Sequence, residues 1–93
     1  MVSQQARLGY IRDSLTAFRA GKHSLRGLVE DVRETLNDLE PGPTQDALRS
    51  QWWTLEQVYA AAIDEGVLDR LSKEDVALVD EAVAAMESIV SRS

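Results

Sequence analysis

Apolar residues recur every three or four positions along almost the whole chain, in four blocks separated by short polar breaks. That period belongs to the amphipathic α-helix, whose 3.6-residue turn returns such positions to one face. The first block runs from about Ser3 to Ala20 and carries Leu8, Ile11, Leu15 and Phe18, with Gly21 following where a left-handed cap is expected. The second begins after Ser24, a good N-cap, and carries Leu25, Leu28, Val29, Val32, Leu36 and Leu39. Pro41-Gly42-Pro43 ends it, because proline cannot continue a helix and restricts the residue before it.

The pattern predicts a third helix from Thr44 or Gln45 to Glu65, capped by Thr44 and closed by Gly66. Its inward positions are Leu48, Trp52, Leu55, Tyr59, Ala62 and Ile63. Ser72 caps the fourth, with Asp75 three residues on as an acidic form of the capping box. Val76, Val79, Val83, Met86 and Ile89 or Val90 make its stripe. No sustained alternation and no Asn-Gly or Asp-Gly turn competes as a β signal. Short connections between helices of similar length predict an all-α fold, an antiparallel up-down bundle of about four helices. At 93 residues, positions 1–93 are expected to form one domain with a modest core.

Composition narrows the function classes. Cysteine is absent, which excludes disulfides, thiolate metal sites and a cysteine nucleophile. Residues Met1 to Gln5 lack the charged-then-apolar pattern of a signal peptide, and no apolar run approaches the roughly 18–20 residues that cross a bilayer. The expectation is a soluble cytoplasmic protein. The net charge of −6 is unevenly spread: residues 1–26 carry +4 and residues 27–93 carry −10. Such a field repels nucleic acid over most of the surface and attracts a basic partner, although acidity also serves solubility.

Catalytic equipment is sparse. The sole histidine, His23, stands in a polar turn and reads as a solvated loop residue. Neither a Glu-x-x-His pair nor a His-Glu-x-x-His motif occurs, and the five glycines are scattered rather than gathered into a phosphate cradle. Adjacent carboxylates at Glu30/Asp31, Asp64/Glu65, Glu74/Asp75 and Asp80/Glu81 diverge by about 100° on a helix, so they do not converge on one substrate. The expectation is a non-enzyme with no cofactor and no metal.

Three surface features stand out. Glu30, Glu34 and Asp38 recur every four residues as an acidic stripe along the second helix, with Arg26 and Arg33 placed to relieve part of the repulsion. Trp52 falls on the core stripe, whereas Trp53 points toward the Arg49/Glu56/Ala60 side; it is an interface anchor, a cover over the gap to a neighbouring helix, or a ring stacked under Arg49. Alanines at 60–62 and at 77, 82, 84 and 85 allow the third and fourth helices to pack closely, or alternatively make a self-association face.

Phe18-Arg19-Ala20-Gly21-Lys22-His23-Ser24-Leu25, and Trp52-Trp53-Thr54-Leu55-Glu56-Gln57-Val58-Tyr59-Ala60, together with the acidity and the carboxylate-rich second and fourth helices, give the chain a resemblance. It resembles the small all-helical immunity proteins of bacterial toxin systems, of the colicin D and contact-dependent growth inhibition type. The resemblance implies a partner: a cognate protein toxin with a basic nuclease domain, neutralised by acidic side chains that mimic a nucleic-acid backbone. Glu30, Glu34 and Asp38, with Asp64, Glu65, Asp80 and Glu81, would supply that charge, and Trp53 a desolvated anchor. Neither nucleic acid nor membrane is an expected partner, and the protein would be a monomer or homodimer. The alternative is a homo-oligomeric structural or regulatory helical protein without a toxin partner. A secreted Trp-x-Gly hairpin fits less well, because Trp52-Trp53-Thr54 lacks the glycine and lies within a helix.

Overall fold

The computed structural model of the chain describes residues 3–92. Among these are four α-helices and no strand: α1 (Gln4–Arg19), α2 (Leu25–Asp38), α3 (Pro43–Glu65) and α4 (Lys73–Arg92). They run antiparallel in a ring in which α1 touches α2, α2 touches α3, α3 touches α4, and α4 closes back on α1. Neither diagonal pair, α1 with α3 or α2 with α4, approaches closely. No helix among the described residues is long and apolar enough to cross a membrane.

The helix boundaries follow from local chemistry. Ser3, Ser24 and Ser72 each accept a hydrogen bond from the backbone N–H three residues on, satisfying a donor that the first helical turn cannot. Gly21 and Gly66 take the left-handed conformation expected after helix ends, with φ of 75° and 68°. The start of α3 differs from expectation. Gly42 rather than Thr44 occupies the N-cap, without a side-chain bond, and Pro43 is the first helical residue. Proline suits that position because its N–H would be unsatisfied anyway and its φ is preset.

One core draws on all four helices. Ile11 and Leu15 of α1, Leu28 and Val32 of α2, Leu48 and Leu55 of α3, and Val83 and Met86 of α4 are essentially inaccessible. Each such side chain contributes about 1.5–3 kcal/mol on transfer from water. Phe18, Trp52 and Tyr59 pack against this cluster while remaining partly exposed. Trp52 Nε1 donates to the Val29 carbonyl at 2.9 Å and so fixes the register of α3 against α2. The alanines divide: Ala62 and Ala82 are buried, whereas Ala60, Ala61, Ala77 and Ala84 face solvent.

Two stripe positions are corrected. Ile63 is 49% exposed and Val76 is 53% exposed, while Val58, absent from the expected stripe, is buried. Helix length explains the first. Trp52 sits level with Val29, four residues from the start of α2, but Ile63 lies eleven residues beyond Trp52. At 1.5 Å per residue, Ile63 lies about 10 Å beyond the N-terminal end of α2, which leaves it half exposed. The last residue of α1, Arg19, reaches Asp80, and Val76 lies one turn further out along α4. The opposite end is stitched shut. Gln45 Nε2 donates to the carbonyls of Leu36 and Leu39, Arg7 donates to that of Asp38, and Gln4 accepts from the Glu40 N–H.

Candidate protein-binding surface

The acidic stripe lies where the helix period puts it. The buried face of α2 carries Leu25, Leu28, Val29, Val32, Thr35 and Leu36, and Glu30, Glu34 and Asp38 fall on the opposite side. Glu30 is engaged, accepting from Arg26 Nε at 3.2 Å. Glu30, with the phenol of Tyr59 nearby, raises the pKa of that guanidinium, the hydrogen bond being the largest cause. Arg33 forms no ion pair among the described residues, so Glu34 and Asp38 remain open carboxylates.

Trp53 is 56% exposed, next to the stripe's helix but on the outward face of α3. It does not close a gap between helices. It lines a shallow cleft with Asp46, Arg49 and Ser50, and its ring centroid lies 6.3 Å from that of Trp52 at 52°. The half-buried ring of Trp52 therefore flanks the exposed one.

The remaining acids divide. Asp64 and Glu65 are exposed in the last turn of α3, which holds no basic residue. Carboxylates there stand in the negative end of the helix dipole, an arrangement that costs about 0.3–1 kcal/mol each at an exposed site. α1 and α4 obey the opposite rule, with Arg19 and Arg92 in their last turns and Glu74 and Asp75 in the first turn of α4. Asp80 is not open: Arg19 Nη1 holds it at 3.0 Å and Arg19 Nε holds Glu87 at 2.8 Å, clasping α1 to α4. Hydrogen bonds to Glu87 first, then Asp80, raise the pKa of Arg19 above its ordinary value, so it stays cationic at any working pH. Glu81 is exposed on α4, diagonal to α2. The eight residues singled out in the sequence thus do not form one face. Glu30 and Glu34 lie on the outer face of α2, Asp38 borders α1 beside Arg7 and Tyr10, and Trp53 stands on the outer face of α3. Asp64 and Glu65 stand at one end, and Asp80 and Glu81 lie across the bundle.

His23 is not a solvated loop residue. Its Nε2 lies 2.8 Å from Asp31 Oδ2, and both side chains are about 30% exposed. Ser14 Oγ, nearly buried, reaches the same oxygen at 3.5 Å. Serine, histidine and aspartate therefore meet, but in the wrong order for nucleophilic activation: the carboxylate stands between the other two, and the serine has no base. No three His or carboxylate groups among the described residues converge as metal ligands. The His23–Asp31 pair was invisible in the sequence because their eight-residue separation spans a turn and two helical turns. The overhang at Ile63 was legible in principle, since a block of about 21 residues packs beside one of about 15.

Comparison with protein families, with curated proteins and with solved structures yields no significant match.

Proposed function

We propose that this domain is a non-catalytic binding module that recognises a basic protein partner, in the manner of an immunity protein neutralising a cognate toxin. The observation that carries this reading is the surplus of exposed carboxylates without ion-pair partners among the described residues, with Glu34, Asp38, Asp64, Glu65 and Glu81 among them. Arg19 and Arg26, by contrast, are spent on Asp80, Glu87 and Glu30 within the bundle. Two of the open acids oppose the field of α3, a placement that does nothing for stability. Trp53, a large exposed ring next to Trp52, offers an anchor on α3, the neighbour of the helix that carries Glu30 and Glu34. Complementary charge of this kind speeds encounter and selects partners more than it sets affinity. A toxin with a basic nucleic-acid cleft has the matching surface.

Affinity capture of the tagged protein from its host, with the mass of the complex measured, tests the reading. Recovery of a stoichiometric basic domain, lost when Glu34→Lys and Asp38→Lys are introduced together, is the expected result. Recovery of the chain alone, as a stable dimer, replaces this reading with that of a homo-oligomeric structural or regulatory protein.

A further inference from the structure

Of the six large hydrophobic residues exposed among the described residues, four fall between positions 63 and 78: Ile63, Leu68, Val76 and Leu78. Ile63, Leu68 and Val76 gather at one end of the bundle, whereas Leu78 points about 160° away from Val76 on α4. Ile63 and Val76 continue the apolar stripes of α3 and α4 beyond the point where α2 and α1 stop. The stripes outlast their cover. Two apolar clefts open at this end. One is lined by Ile63, Gly66 and Leu68 with Asp69 at its edge. The other is lined by Phe18, Leu71 and Val76 with Asp80 at its edge.

The charge around this ledge is one-sided. Between Ala62 and Val76 stand five carboxylates, Asp64, Glu65, Asp69, Glu74 and Asp75, against Arg70 and Lys73. The C-terminal carbonyls of α3 add negative field at the same place. A two-fold pairing of this ledge with itself would bring two like-charged patches together, which disfavours a second chain as the occupant. The complementary occupant is apolar on one face and cationic on the other.

The geometry points to the α3–α4 overhang as the docking ledge for a cationic amphipathic helix of a partner protein. Such a helix takes the place of the turns that α1 and α2 lack, seating its apolar face on Ile63, Leu68 and Val76. Its basic residues meet Asp64, Glu65 and Asp69. This inference rests on the reading of the domain as a binder of basic protein, and it gives the binding surface an apolar centre that the α2 stripe lacks.

The probe is a synthetic amphipathic helix with leucines on one face and lysines on the other, titrated into isotope-labelled protein and followed by NMR. A matched peptide with glutamate for lysine serves as control. The lysine peptide is expected to shift the amides of Ile63, Leu68 and Val76, the glutamate peptide to shift none. Ile63→Ser and Leu68→Ser, both at exposed positions and checked for unchanged helicity, should each weaken binding roughly tenfold. Shifts centred on Glu34 and Asp38 would overturn the ledge while leaving the acidic-surface reading intact. Binding of neither peptide would overturn it also. Ledge signals that move with protein concentration alone would replace the partner helix with a second copy of the chain. Binding at the ledge combined with capture of no basic protein would leave the ledge standing and remove the toxin-partner reading.

Discussion

The imidazole of His23 lies across the first turn of α2, with Nε2 2.8 Å from Asp31 Oδ2, in the space that a side chain at position 27 would fill. A Cβ on Gly27 would collide with His23 Cε1. The glycine that weakens the helix is thus what lets the α1–α2 turn fold back onto it. A carboxylate only accepts hydrogen bonds, so Nε2 carries a proton in this arrangement.

His23→Ala should lower stability by about 0.5–1.5 kcal/mol, the net worth of a partly exposed hydrogen bond. Gly27→Ala displaces the ring but gains up to about 1 kcal/mol of helix propensity, so its own effect should be small. The decisive quantity is the coupling. In the Gly27→Ala background, His23→Ala should cost almost nothing by urea unfolding. Additive costs would mean that the ring and the glycine are independent.

The two adjacent tryptophans should separate cleanly by substitution. Trp52→Ala removes a ring packed on the core and the bond to the Val29 carbonyl, and should cost about 3 kcal/mol. Trp53→Ala should stay within about 0.5 kcal/mol of the parent. In Trp52→Phe the sole remaining indole is exposed, so its fluorescence should be strongly quenched by iodide. Weak quenching would place Trp53 inside the fold.

The clasp of Arg19 on Asp80 and Glu87 sits at the surface, where screening limits its worth. Arg19→Ala should therefore cost no more than about 1 kcal/mol, and the difference from the parent should shrink in high salt. A larger, salt-independent loss would indicate that the aliphatic stem of Arg19 matters through packing instead.

Glu65→Lys should separate stability from recognition. Replacing an acid by a base in the last turn of α3 should stabilise the domain by about 0.3–1 kcal/mol. The same change should slow association with a basic partner. Stabilisation without any change in association rate would remove Glu65 from the interface.

Much of this protein is written in one dimension. The apolar period placed four helices, and serines before them and glycines after them marked most ends, because caps and turns are settled by neighbours three or four residues apart. The same period identified Leu28, Val32, Leu55 and Met86 as core and set Glu34 and Asp38 facing outward. Other properties depend on how one helix is set against the next, and no local pattern contains that. Ile63 and Val76 fit their stripes as well as any buried residue, yet stand uncovered because α3 and α4 outrun their neighbours. Asp80 and Glu81 are adjacent in sequence, but among the described residues only Asp80 meets a cation, from a residue sixty-one positions away. The ring order put α2 and α4 on a diagonal and divided one list of acids among separate surfaces. Side-chain direction is a matter of period; company is a matter of packing.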